Sequence, residues 1–235
     1  MRPLYGCVLA GGESRRMGVP KAQLEVGGKS FLEHTAELLG AVTSRVFISA
    51  GSKAGANVFQ RSRSHETQGP SALKTPAAAA RLPVLYDVVP DGGPLAGIAT
   101  ALESRRDAAW LVVAVDMPLL TVESLEHLVG VWRGPVGRPE AGHGAPESVM
   151  ELRAQVTAFR SPRAGGPEPL CSLWEPDALP IVLGCMNGGE RSVARCLGKL
   201  SVQLVDPVDE RTLWNANTPA DLETLRYTLE PRRSA

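Results

Sequence analysis

The apolar positions of this chain fall into short unbroken runs, separated by stretches in which they recur at helical spacing. Leu4 to Ala10, Arg45 to Ala50, Pro83 to Asp87 and Ala109 to Asp116 are runs of the first kind. A continuous apolar run of strand length is expected where both faces of a strand are covered, and Trp110 to Val115 is the clearest, which reads as the centre of a sheet. Between them Ser30 to Gly40, Pro94 to Ser104 and Thr121 to Trp132 read as helices. Strand and helix in alternation predict an α/β fold, a mostly parallel sheet with crossover helices on its faces.

Past the middle of the chain the pattern continues with strands at Ala154 to Arg160 and Pro169 to Trp174, helices at Asp177 to Cys185 and Glu190 to Leu200, and a last strand at Ser201 to Asp206. A final helix begins at Thr218 as cap, with Pro219 in the first position and Asp221 closing a capping box. Two stretches interrupt the pattern. Residues 52–82 are rich in Ser, Gly, Ala and Pro, and 134–147 carry a dense run of Gly and Pro. Both read as mobile insertions, the second either a solvent loop or a substrate lid. The tail Pro231 to Ala235 is expected to fray. With 235 residues the expectation is a single domain, 1–235.

Charge narrows the choice of partners. The 25 basic and 25 acidic residues cancel, so nothing favours a general attraction to nucleic acid or to an anionic membrane, and any anion site must be local. Cys7, Cys171, Cys185 and Cys196 form no C-x-x-C pair and no zinc spacing, and read as reduced, buried thiols. No apolar run approaches the ~18 residues of a membrane helix, and the N-terminus lacks a signal peptide's apolar core, so a cytoplasmic location is expected.

Such a local anion site is written directly after the first strand. Leu9 and Ala10 run into Gly11-Gly12, followed by Arg15, Arg16, Gly18 and Lys21. Glycines let backbone N–H groups approach an anion, and the three cations supply charge for a polyphosphate. A turn of this shape that binds nothing is the alternative. It is not a dinucleotide-fold turn, for the G-x-G-x-x-G spacing is missing. Nor is it a Walker A loop: Gly28-Lys29-Ser30 would need a glycine five residues earlier, where Gln23 stands. Gly27-Gly28 reads instead as a tight turn before a helix capped by Ser30, with Glu33 at the capping-box position.

In open parallel sheets ligands bind at the carboxyl ends of the strands. Gly11-Gly12, Asp87 and Asp116 all stand at such ends. Asp116 suits a Mg²⁺ ligand or, equally, a cap for the helix beyond Pro118. Asp91 to Gly97 form a second glycine-rich turn, which either admits a flat ligand or lets Gly97 pack its helix on the sheet. Asn215 and Asn217 either meet a metal or phosphate or form a turn.

The run Leu9-Ala10-Gly11-Gly12-x-Ser14-x-Arg16-Met17-Gly18-x-x-Lys21 resembles the signature of the nucleotidylyltransferase family that includes molybdenum cofactor guanylyltransferase. Gly93-Pro94-Leu95-Ala96-Gly97 and Asn215-Ala216-Asn217-Thr218-Pro219-Ala220-Asp221-Leu222 resemble later signatures of the same family, and Pro169 to Trp174 and Gly189 to Ser192 resemble its segments on the side of the second substrate. The resemblance implies a three-layer Rossmann-like fold of the nucleotide-diphospho-sugar transferase type. It implies transfer of GMP from GTP to molybdopterin, with Arg16, Lys21 and Asp116 catalytic. Leu9, Ala10, Gly11, Gly12, Lys21, Asp87, Gly97 and Asp116 would sit at the nucleotide, Mg²⁺ on Asp116, and Asn215, Asn217 and Arg191 toward substrate or metal. Molybdoenzymes or other cofactor-biosynthesis proteins would be its protein partners. One departure stands out: Ser49-Ala50-Gly51 replaces an Asn-Ala-Asn-like segment. That keeps a CTP-using or other-acceptor transferase open, and also a non-catalytic nucleotide-binding regulator.

Overall fold

The computed structural model describes residues 2–11, 20–51, 82–87, 89, 92–134 and 154–229. The expectations for Gly12, Ser14 to Gly18, Asp91, nearly all of the two insertions and the tail fall outside these residues.

Seven strands form one sheet in the order β5-β4-β1-β6-β8-β7-β9, where β1 is Leu4–Leu9, β4 Arg45–Ser49, β5 Val84–Leu85, β6 Ala109–Ala114, β7 Val156–Arg160, β8 Pro167–Trp174 and β9 Val202–Val205. A two-stranded hairpin, β2 (Glu25–Val26) and β3 (Lys29–Ser30), stands apart from it. β5, β4, β1 and β6 run parallel, as do β7 and β9. β8 lies antiparallel between β6 and β7, with Trp110 opposite Trp174 and Val113 opposite Cys171. Its reversed direction brings the start of β8 to the rim where the other strands end.

The helices are α1 (Phe31–Val42), α2 (Gly93–Ser104), α3 (Val122–Arg133), α4 (Leu179–Asn187), α5 (Val193–Leu197) and α6 (Pro219–Leu229). Side chains of a strand alternate between faces, and β6 shows what this builds. Ala109, Leu111 and Val113 pack with Phe31, Leu39, Leu128 and Leu225 from α1, α3 and α6. Trp110, Val112 and Ala114 pack with Leu95, Leu102, Val182 and Leu197 from α2, α4 and α5. The result is three layers around a fully buried central strand, as the unbroken apolar run required. On the edge opposite the rim, buried Glu175 accepts hydrogen bonds from Arg2 and from the Trp132 indole, both at 2.8 Å.

Local signals held where they were chemical. Gly27 and Gly28 both have positive φ, 63° and 81°, and form the turn of the β2–β3 hairpin. Ser30 and Glu33 form the full capping box of α1. Other boundaries moved. The strand expected over Pro83 to Asp87 is two residues long, Val84 and Leu85 pairing with Ile48 and Ser49 of β4, while Asp87 is still tied by its N–H to the Gly51 carbonyl at 3.0 Å beyond the end of β4. The helix expected from Glu190 starts at Val193: the Glu190 carboxylate accepts from the N–H groups of Arg191 and Ser192, Ser192 caps at Arg195, and Gly198 ends the helix. The helix expected from Asp177 opens as a 3₁₀ turn, Pro176–Ala178, before α4. All four cysteines are free and buried. Among the described residues no helix is long and apolar enough to cross a membrane.

Candidate active site

Three segments remote in sequence meet at the end of β6. Lys21 opens a one-turn 3₁₀ segment, and its ammonium donates to Asp116 Oδ2 at 2.9 Å and to Asn217 Oδ1. The Asp116 carbonyl accepts from the Ala216 N–H at 2.9 Å, which lays the Asn215-Ala216-Asn217 segment across the strand end. Asp221 fixes that segment from the other side, accepting from the N–H groups of Asn217 (2.7 Å) and Thr218 (2.8 Å) while Thr218 Oγ1 accepts from the Asp221 N–H. The capping box therefore does more than start α6. It holds the residue that holds Lys21. The Asn217 N–H is the chief reason the Asp221 carboxyl sits below the usual carboxylate range.

One oxygen in this cluster has no partner among the described residues. Asp116 Oδ1 is buried and accepts no hydrogen bond from any of them. Buried carboxylate oxygens are rarely left so, and a hard cation is a natural complement. Among the described residues no three His, Cys, Asp or Glu side chains gather as a metal cage. A Mg²⁺ carried by a polyphosphate needs only one or two carboxylates beside phosphate and water, so Asp116 fits that ion.

On the other side of β1 the amides of Ala10 and Gly11 both donate to the Ser49 carbonyl, at 2.9 and 3.2 Å. The first turn after the strand is thus braced on β4, and these two amides are already engaged within the protein. Gly11 is needed there for another reason: a Cβ would come within 2.9 Å of the Gly51 amide nitrogen. Ser49 also donates from its hydroxyl to Asp87 Oδ1 at 3.1 Å. Burial raises the Asp87 carboxyl, and the Ser49 hydroxyl pulls it back part of the way. Gly97 resolves toward packing, since a Cβ would lie 2.6 Å from Ser49 Oγ and 2.8 Å from Leu9 Cδ2. Arg191 is exposed, with its backbone carbonyl beside Gly93 at the start of α2 and its N–H on Glu190. That places it on the same rim, on the α2 side and away from Asn215. Arg16 and Gly12 lie outside the described residues.

A carboxyl that the sequence reading passed over stands on the α6 side. Glu168, 7% exposed, lies at the start of β8 and accepts from the Leu170 N–H at 3.4 Å. Burial raises its titration above the ordinary glutamate range; the Leu170 N–H, the Ser161 hydroxyl and Arg163 pull it down, while the negative charge of Asp116 adds to the rise. The signal was there, a charged residue between Pro167 and Pro169 opening an otherwise apolar strand. Beside it a cavity of about 360 Å³ opens between the β7–β8 turn, Trp214-Asn215 and α6.

Comparison with known proteins sets this rim in a family. Residues 6–204 match the MobA-like NTP transferase domain. A molybdenum cofactor biosynthesis bifunctional protein of Synechocystis is 31% identical over 93% of this chain, which spans 52% of that protein's length. A probable molybdenum cofactor guanylyltransferase of Rhodopirellula baltica is 30% identical over 94% of this chain and 90% of its own. Molybdopterin-guanine dinucleotide biosynthesis protein A of Archaeoglobus fulgidus shares the fold, with a TM-score of 0.68 at 22% identity over 95% of this chain and 97% of that one. By the extent of the domain match and the near full-length relative, this chain belongs to the MobA-like NTP transferase family.

Proposed function

We propose that the protein is a molybdenum cofactor guanylyltransferase, which transfers GMP from GTP to molybdopterin carrying molybdenum and releases pyrophosphate. The observation that carries this reading furthest is the Lys21–Asp116–Asn217 cluster with its one orphaned carboxylate oxygen. The names of the near full-length relatives supply the donor and the acceptor.

The reaction is an in-line displacement. A phosphate oxygen of the acceptor forms a bond to the α-phosphorus of the nucleotide, and the bond from that phosphorus to the bridging oxygen breaks as pyrophosphate leaves. No protein nucleophile is needed, so the work of the chain is positioning and charge compensation. Lys21 offsets negative charge at the phosphates, as would Arg16 from the same loop. Asp116 with its free Oδ1 would hold Mg²⁺, whose chemistry when bound is to screen the phosphates and polarise the reacting centre. Asp87, braced by Ser49, faces the nucleotide's base or ribose, and Asn215 and Asn217 line the acceptor's approach.

Calorimetric titration with GTP, CTP and ATP, each with Mg²⁺ and with EDTA, tests the reading. Selective, Mg²⁺-dependent GTP binding is expected. Ser49-Ala50-Gly51 is the specific feature that favours a second reading, a cytidylyltransferase, and preferential CTP binding would decide for it. Failure to bind any of the three would overturn both.

A further inference from the structure

The nucleotide-side residues leave the cavity beside Asn215 without an occupant. At about 360 Å³ it is within the range of small-molecule sites and large enough for a two-ring heterocycle. Leu119, Pro162, Leu213, Leu225 and the half-buried Trp214 give it apolar and aromatic walls. Glu168 also lines it, and a buried carboxyl against such walls is costly to the fold unless it is paired. Within the protein the Leu170 N–H donates to it, and Ser161 and Arg163 stand beside it in the cavity wall; a carboxylate offers about four acceptor positions, so it can still take a ligand's donors. The ligand that completes this pattern is a flat ring with a pair of adjacent N–H donors on one edge, stacked against Trp214 and doubly bonded to Glu168.

Position sets its neighbours. Asn215 belongs to the cavity wall, and two residues on, Asn217 holds Lys21 against Asp116. A ring seated here lies next to the segment that carries Asn217, and its Glu168 wall is close enough to Asp116 to feel that carboxylate's charge. We propose that this cavity seats the amino-pyrimidinone ring system of the acceptor and that Glu168 is the side chain that recognises it; the identification of the occupant as acceptor rests on the guanylyltransferase reading.

The test is calorimetric titration of the full chain with 6-hydroxymethylpterin, a probe with that edge and no phosphate, alongside GTP with Mg²⁺. Wild type is expected to bind the pterin saturably. Glu168→Gln should weaken it ~10-fold and Glu168→Ala at least as much, with GTP affinity within about twofold. Thr224→Phe, on the exposed face of α6 at the cavity mouth, should plug the cavity and abolish pterin binding alone, and it carries the test if Glu168→Ala does not fold. Wild-type pterin affinity in the Glu168 variants, or no saturable pterin binding by wild type, would overturn the proposal. Pterin binding without GTP binding would instead leave the cavity assignment standing and remove the guanylyltransferase reading.

Discussion

Lys21 donates to Asp116 and to Asn217, and its replacement should separate chemistry from folding. Lys21→Ala should leave the sheet and both cores intact, because the side chain is a half-buried ion-pair partner of Asp116 and belongs to neither hydrophobic cluster. Loss of a charge that compensates the phosphates should reduce guanylyl transfer ~100-fold or more, with circular dichroism and Tm close to wild type. Wild-type turnover in that variant would remove Lys21 from the mechanism. Gly97 behaves in the opposite way. Gly97→Ala forces a Cβ against Ser49 Oγ and Leu9 Cδ2, which should cost about 1–3 kcal/mol, visible as a lowered urea midpoint. Glu168 adds a pH signature. Its folded-state titration is raised, so the fold favours the neutral acid; that contribution is complete below the unfolded carboxylate range and lost as pH rises through the folded value. Glu168→Gln, a neutral mimic, should therefore melt above wild type at pH 7 to 8 and converge with it near pH ~4. Equal melting temperatures across that range would show that burial of the charge costs the fold nothing.

At the scale of elements, α6 couples stability to the site. Thr218→Ala removes the cap oxygen and should cost about 1 kcal/mol. Asp221→Ala also releases the Asn217 backbone, so turnover should fall ~10-fold beyond what the lost cap explains, through misplacement of Lys21. If the two variants retain equal activity, the box is only a cap. Which elements were legible follows from where their information lies. β1 and β6 were readable because burial on both faces writes an unbroken apolar run, and α1 because Ser30 and Glu33 cap it within four residues. The reversal of β8 was not readable. Strand direction is set by pairing with β6 and β7 across the sheet, and Pro167 to Trp174 carries no local mark of it. The same holds for the site. Asp116 and Lys21 each stood out by residue type, whereas their contact, and the place of Glu168 beside Asp116, required the sheet to be assembled.

For the whole molecule, the sheet order has a consequence that no single strand carries. β5, β4, β1 and β6 deliver Asp87, Ser49, Gly11 and Asp116 to the rim, and reversed β8 delivers Glu168 from the other half, so the β6–β8 seam separates the side proposed for the nucleotide from the cavity. Lys21, Asp116 and Asn217 close that seam from positions 95 and 196 residues apart. A ligand engaging this cluster reinforces contacts between the first loop, the central strand and the C-terminal segment, and should therefore stabilise the fold as a unit. At 100 times its Kd, GTP with Mg²⁺ should add about 2.7 kcal/mol, which for a chain of this size raises Tm by roughly 5–10 °C. In Asp116→Asn, and for wild type in EDTA, the rise should largely disappear, because the orphaned Oδ1 is the atom assigned to the metal. Differential scanning calorimetry with and without nucleotide reads all three arms. An undiminished rise in EDTA would mean that the nucleotide is held by the loop and Lys21 alone, and Asp116 would then serve only to aim that lysine.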